Sequence, residues 1–498
     1  MLSRSWFPTG RRCVSVPLAV ALALCAVAAT ASGAAAAMNG PPHVNIVAPG
    51  GPPPGTIPAN TSYFTTIQAA VNNTRRNKGD WVLIEPGTYT EEVTVSSAHS
   101  GIHIRGIDRN TVVLDGQSNP PPGGSNGIFI NKANNVWVEN LTVKNFERAE
   151  GDGAGGNGIW WSGGENSNKQ SIHGWWGRYL TAFDTGLHGG YGIFTGNERE
   201  GSWEHIYASG YADSGIYIGA CWECKAKVSD ATIEYNAVGY SGSNSGGRLV
   251  IEKSTFKHNS AGIVPNGENP GDGPPPQNGI CNAKRPAKPY YLFTSTNVER
   301  CTVIKENLVE DNNNLEAPAV GSTEKAPWGV GIELPGDMGD LVENNTVVNN
   351  VNNGVLGFEY PNPFPPVAST IYFQLAGNKV AGNSFSGNGT SGKEFASDVT
   401  LQGGRFPHGK YTSDNNCVSG NTREGGAITS FPTAIEGTWG CANAMTPPPD
   451  NGLAGIFYVV TLSEEAALLR KPTGQPAPGP QETMPAPCEG VPTNPLCP

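Results

Sequence analysis

One short phrase recurs along the chain and decides what it can fold into. An Asn or Ser, any residue, a Phe or Val, two further residues and an Asn stand at Ser254, Phe256 and Asn259. The same frame returns at Asn307, Val309 and Asn312, at Asn345, Val347 and Asn350, and at Asn383, Phe385 and Asn388. Ala231, Ile233 and Asn236 fit it with the first position relaxed. A second marker, a Gly beside an apolar residue, falls at Gly158-Ile159, Gly192-Ile193, Gly215-Ile216, Val238-Gly239, Gly262-Ile263, Gly331-Ile332 and Gly354-Val355. Its intervals are 34, 23, 23, 24, 69 and 23 residues, and the longest holds the Pro-rich excursion "GENPGDGPPPQNGICNAKRPAKPYY". A period near 23 with Asn- and Gly-rich turns is too short for helical repeats, and no leucine ladder accompanies it. It predicts an all-β chain, a single-stranded right-handed parallel β-helix: a solenoid of about ten coils, each with three short strands, stacked at ~4.8 Å. Stacking accounts for the Asn. At one corner of each coil an Asn in the left-handed region can hydrogen-bond its amide to the Asn above.

The ends depart from the repeat. Arg4, Arg11 and Arg12 precede an apolar run at 16–31 and small residues to Ala37, the layout of a signal peptide over residues 1–37. The run is too short and too Ala-rich for a membrane anchor, which needs about 20 apolar residues. Residues 38–60 are rich in Pro and Gly and read as a linker. Ile67, Ala70 and Val71 have helical spacing, as a helix capping the first coil would, and strand patterns follow at Trp81–Ile84, 93–95, 102–104 and 112–114. The β-helix is expected over 61–441. Residues 442–498 read as a C-terminal cap and Pro-rich tail, with a short helix after Ser463 packed on the last coil.

The formal charge is −11 for the whole chain and −14 once the three signal arginines are removed. So acidic a surface argues against nucleic acid or anionic membranes as partners. It also disfavours a polyanionic glycan, unless a bound cation or a local basic patch mediates contact. Eight cysteines lie beyond the signal, at 221, 224, 281, 301, 417, 441, 488 and 497. An even number in an exported chain suggests disulfides, and the spacing suggests the local pairs 221–224, 281–301, 417–441 and 488–497. No second CxxC or His pair accompanies Cys221-Trp-Glu-Cys224, which favours a structural role over a zinc site or a redox dithiol.

The stretch "TIQAAV…GDWVLIEPGTYTEEVTV…IHIRGI…TVVLDG" (66–116) resembles the opening of the pectin-lyase-like superfamily. Further on, "YGIF", "YADSGIYIG" and "STFKHNSAGIV" resemble the bacterial right-handed parallel β-helix repeat proteins within it. The resemblance covers roughly 61–425 and implies the fold, while the activities of that superfamily range over lyases, hydrolases, esterases, epimerases, tailspikes and proteins without known activity. The polygalacturonase, pectinesterase, pectate lyase and alginate epimerase signatures are missing; "LHGG" at 187–190 is only a near miss to Gly-His-Gly. No catalytic residue carries over from the resemblance.

Candidates for chemistry therefore come from register. The residue after each Gly-apolar marker is Trp160, Phe194, Tyr217, Tyr240, Val264, Glu333 and Leu356. The neighbour of an inward strand residue points outward, so Trp160, Phe194, Tyr217 and Tyr240 are expected as a row on one outer face, a platform for sugar rings. Like residues stacking for stability would give the same row. Asp184 and His188 precede Tyr191, and Asp213 precedes Tyr217. A lyase or epimerase needs a neutralised carboxylate and a base, and a hydrolase needs two carboxyls at a defined separation. Asp184, Asp213 and His188 are the catalytic candidates, with ordinary turn residues as the plain alternative. The "EDNNN" stretch at 310–314 offers oxygen ligands for calcium without EF-hand spacing, and no other cofactor is expected. Two readings stand. One is a secreted protein that acts on or binds an extracellular polysaccharide, as a lyase, hydrolase or epimerase would. The other is a non-catalytic extracellular or cell-envelope β-helix protein.

Overall fold

Each turn of the chain contributes three short strands. In one coil they are Ser214–Gly219, Ala226–Ser229 and Thr232–Glu234. Each pairs in parallel with its counterpart one turn later, in Val238–Ser243, Leu249–Glu252 and Thr255–Lys257. Strands of the first kind, here face 1, stack eleven deep from Val93–Ser96 to Ser430–Phe431. The second and third kinds form faces 2 and 3, so the chain is a parallel β-helix. This computed structural model describes residues 40–498 apart from 122–123, 150–154, 165–171, 222, 268–300, 362–371, 374, 403–415 and 442–451.

The recurring phrase builds two amide ladders rather than one corner. Its second Asn makes the first ladder: the Nδ2 of Asn236 donates to Asn259, Asn259 to Asn312, Asn312 to Asn350 and Asn350 to Asn388, at 3.0, 3.0, 3.2 and 3.0 Å. The phrase's first position makes the second, through Asn307, Asn345, Asn383 and Asn421. Each Oδ1 also accepts the backbone N–H of the rung one turn earlier, and each Nδ2 also donates to a strand carbonyl, as Asn312 does to Phe256 at 3.1 Å. The rungs thereby satisfy buried backbone groups that strand pairing cannot reach. The left-handed residue is not the rung itself, as the sequence suggested, but the one before it. His258, Asp311 and Asn349 have φ of 54°, 50° and 55°, which turns the corner and aims the next side chain inward. Between the ladders, Phe256, Val309, Val347 and Phe385 fill the core. The Gly marker serves the same ladder. A Cβ on Gly262 would lie 3.0 Å from the Nδ2 of Asn312 and 2.3 Å from the carbonyl of Gly331 in the next coil.

Helix α1 (Ile67–Asn72) buries Ile67, Ala70 and Val71, the residues whose spacing suggested it. The carboxylate of Glu91 accepts the first backbone N–H groups of the helix, those of Ile67 and Gln68, at 2.7 and 2.9 Å. Within the stretch read as a linker, Val44–Val47 is a buried strand that pairs with both Thr61–Phe64 and Trp81–Ile84. Strand pairing thus begins ahead of residue 61. At the other end, helix α2 (Ile435–Thr438) seats Ile435 and Trp439 in the core, and Glu436 accepts two hydrogen bonds from Asn421, which terminates a ladder.

The helix expected at the end of the solenoid lies along its side instead. Helix α3 (Gly452–Leu469) places Tyr458 and Leu462 against Val330, Leu356 and Phe358 on face 1, and the Tyr458 hydroxyl donates to Asn353 at 2.7 Å. Beyond it the Pro-rich tail runs back to the first coil as a strap. Lys471 donates its N–H to the carbonyl of Leu315, and Asn110 and Gln481 bond each other. The buried guanidinium of Arg109 donates to Thr483, and that of Arg105 to the carbonyls of Ala486 and Glu489. Leu496 and Cys497 then pack on Val44, Ile46 and Trp81. Disulfides join Cys221–Cys224, Cys417–Cys441 and Cys488–Cys497. Cys301 is also disulfide-bonded, and Cys281 lies outside the described residues. No helix among the described residues is long and apolar enough to cross a membrane.

Candidate functional site

Strand register decides which aromatic residues share a face. Trp160 pairs with Phe194 and Phe194 with Tyr217, in line with Phe129 one coil earlier. Tyr240 is not in that line. It pairs with Ile216, points inward and is fully buried, and Ser241 is the partner of Tyr217. The Gly-apolar marker in that coil is Gly239-Tyr240, one residue later than Val238-Gly239, so the outward position falls on Ser241. From Glu333 to Leu356 the column is covered, and α3 packs over Leu356.

The rings that do align lean on one another. Trp160 and Phe194 are stacked at 5.1 Å with an interplanar angle of 8°, and Phe129 closes on Trp160 at 4.6 Å. Tyr217 is 8% exposed and meets Phe194 edge-on, and Tyr191 closes against both at 4.6 and 5.0 Å. These rings present edges outward. A second ladder, Trp81, His103, Trp137 and Trp176, runs up face 2 and escaped the sequence reading, because no Gly marks that face. Burial between these rings pushes His103 down to about 4, and it sits there as neutral imidazole.

Beside Tyr191 and Tyr217 the surface opens into a cleft of about 590 Å³. Asp213 and His188 both line it, joined by Arg148 and Glu324. Burial raises the Asp213 carboxyl to about 6, against hydrogen bonds from the hydroxyls of Ser214 and Tyr191 and the charge of Arg148. That places it where a group can both give and take a proton near neutrality. Arg148 is 8% exposed, and its Nη2 has no hydrogen-bond partner among the described residues. Burial lowers its pKa, while Asp213, Tyr191 and Glu324 hold the charge on it. Leu187, Pro318, Val320 and Pro472 give the cleft apolar walls.

Its far wall comes from the 3₁₀ turn Gly321–Lys325. The Thr323 hydroxyl donates to the carbonyl of Ala212, next to Asp213, at 2.7 Å. From the end of α3, Arg470 reaches the carbonyl of Ala317 and the Ser260 hydroxyl, which clamps this wall in place. Asp184 does not line the cleft. It is 1% exposed and sits beneath the loop at 185–189, accepting N–H groups from Gly186 and Gly189 at 3.2 and 2.8 Å. Burial and the neighbouring Glu147 carboxyl push its pKa up, and its bonds to Gly186 and Gly189 brace the loop that carries His188. The 310–314 stretch forms a corner instead of a cation cradle. Asp311 is the left-handed residue, Asn312 is a ladder rung, and Asn314 bonds Gln475. No group of three or more His, Cys, Asp or Glu among the described residues is placed to hold a metal.

Only Asp213 and His188 of the sequence candidates meet in one cleft. Arg148, Tyr191 and Glu324 were missed. Tyr191 had a signal, since it stands at the start of a face 1 strand beside the acids, whereas Arg148 and Glu324 lie in irregular segments with none.

No family model matches the sequence, and no curated protein matches it. Among solved structures, similarity extends to the A-module of the mannuronan C-5 epimerase of Azotobacter vinelandii, at 12% identity over 72% of this chain and 90% of that one, with a TM-score of 0.42. The alginate lyase of Paenibacillus sp. aligns at 10% identity over 73% of this chain and 94% of its own, TM-score 0.37. The tailspike protein of E. coli bacteriophage HK620, solved with a pentasaccharide, aligns at 12% over 70% and 55%, TM-score 0.42. The fold is a parallel β-helix. That conclusion stands on the strand pairing above.

Proposed function

We propose that this is an exported protein that binds an extracellular polysaccharide and acts on it at the cleft between face 1 and the Gly321–Lys325 turn. The observation that carries the reading is the convergence there of a proton-exchanging carboxyl (Asp213), a buried guanidinium (Arg148), and His188 and Glu324, between apolar walls. Sugars offer that combination of partners, hydroxyls for the polar groups and C–H faces for Leu187 and Pro472. The signal-like N-terminus and the disulfides support an oxidising, extracellular setting. Asp213 is assigned proton transfer and His188 substrate contact. Asp184 positions the loop that bears His188.

A second reading, a non-catalytic envelope or adhesion protein, draws on the aromatic row. Rings that stack face to face stabilise neighbouring coils and give those faces to each other instead of to a sugar. Trp160, Phe194 and Tyr217 are therefore assigned to support of the cleft wall instead of a platform. Screening the exported protein against a polysaccharide panel, with products followed by mass spectrometry, tests the proposal. Binding with turnover that Asp213→Asn abolishes supports it. Binding without turnover favours the second reading, and no binding to any glycan refutes the proposal.

A further inference from the structure

Resting on that reading, we infer that the cleft hydrolyses a neutral glycan, with Asp213 protonating the leaving oxygen and Glu324 activating the water. Charge points to the sugar. Arg148 is the one Lys or Arg among the cleft's lining residues, and Asp213 and Glu324, lining the same space, both act on it. No other Lys or Arg among the described residues lines the cleft to neutralise a row of substrate carboxylates, and the chain beyond the signal carries −14. A polyuronate would enter against the repulsion of Asp213 and Glu324, whereas a neutral sugar would not.

The sugar then selects the reaction. β-Elimination and C5 epimerisation both remove a C5 proton that is acidic only because a carboxylate adjoins it, and both need that carboxylate neutralised. A neutral sugar without ester groups has no such proton and no ester to cleave, which leaves hydrolysis of the glycosidic bond. Hydrolysis needs two carboxyls facing one space, and Asp213 and Glu324 both line the cleft. Burial desolvates Asp213, which outweighs the hydrogen bonds that Ser214 and Tyr191 give it. Glu324 is exposed on its turn, with the charges of Arg148 and Arg470 beside it. In the step, the proton of Asp213 passes to the glycosidic oxygen as the anomeric C–O bond breaks. Water adds its hydroxyl to the anomeric carbon and gives its other proton to Glu324. One water is consumed, and one new reducing end and one alcohol are formed. Asp184 cannot be the second carboxyl, because both its oxygens face the Gly186 and Gly189 amides beneath the loop.

The test incubates the full exported chain in ¹⁸O-labelled water with neutral oligosaccharides (glucans, mannans, galactans, xylans) and, separately, with polygalacturonate and alginate. The expected result is ¹⁸O at the new reducing end of a neutral sugar, with turnover falling about 10²–10⁴-fold in Asp213→Asn and in Glu324→Gln. Thermal melts of both isosteric variants check that they fold. Unsaturated or epimerised uronate products would overturn the inference and leave the polysaccharide reading standing. So would a neutral glycan that binds and stays intact. If no glycan of either kind binds, the polysaccharide reading falls with it.

Discussion

Replacing Asn312 by Ala removes one rung from the middle of a buried ladder, and the cost follows from the bonds it makes. The Oδ1 of Asn312 accepts the backbone N–H of Asn259 at 3.2 Å and its Nδ2 at 3.0 Å; its own Nδ2 donates to the Phe256 carbonyl at 3.1 Å and to Asn350 at 3.2 Å. Ala leaves the Asn259 N–H, and the amide hydrogen that the Asn259 Nδ2 gives to Asn312, buried without partners. At about 1–3 kcal/mol for each buried group left unsatisfied, the loss comes to ~2–5 kcal/mol. Urea denaturation followed by circular dichroism measures it, with Thr346→Ala on the exposed part of face 3 as the control, expected within about 0.5 kcal/mol of the parent. A loss at Asn312 below about 1 kcal/mol, or equal to that of the control, would refute the claim that the ladder holds the coils in register.

Other expectations follow from the packing and the charges. Tyr217→Ala empties a site walled by Phe194 and Tyr191 and should cost ~2–4 kcal/mol in the same denaturation assay; a change as small as that of the Thr346 control would show that the ring is not packed. If Asp213 gives its proton to the substrate, turnover should fall as pH rises through about 6, and a rise over that range would contradict the assignment. The sign for stability matches. The folded carboxyl holds its proton more tightly than an unfolded one, so its contribution is present below the ordinary carboxylate range and is lost as pH rises through about 6, a dependence that Asp213→Asn should remove from thermal melts. Arg109→Ala leaves the carbonyls of Leu180 and Thr483 without its guanidinium and should free the strap, seen as faster hydrogen exchange across 481–497; unchanged exchange would mean that the strap is held elsewhere.

The fold was legible because two local rules repeat. An Asn at each corner must meet the Asn above it, and the Gly that follows must leave room for that amide, so register is written into the sequence at Asn259 and Gly262 as at Asn236 and Gly239. Where the rule was read one residue out, at Val238-Gly239, Tyr240 was assigned to the wrong side of the sheet, since side chains alternate with a period of two. The ends were harder to read. Val44–Val47 is short and lies among prolines, yet two strands flank it. Helix α3 turns its Tyr458 and Leu462 stripe toward face 1, and nothing local distinguishes that from an end cap. The site was legible only on the side that face 1 supplies. Asp213 and His188 lie at strand starts, whereas Glu324 arrives through a contact between Thr323 and Ala212, 111 residues apart. Arg148 is marked only by its burial.

The location of the site is tested most directly by the affinity of Arg148→Gln for the polysaccharide found in the screen, measured by calorimetry beside the parent and Thr346→Ala. The cleft account predicts a loss of about tenfold or more, ~1.4 kcal/mol, with an unchanged melting temperature and full affinity in the Thr346 control. Full affinity in a folded Arg148→Gln protein would contradict it.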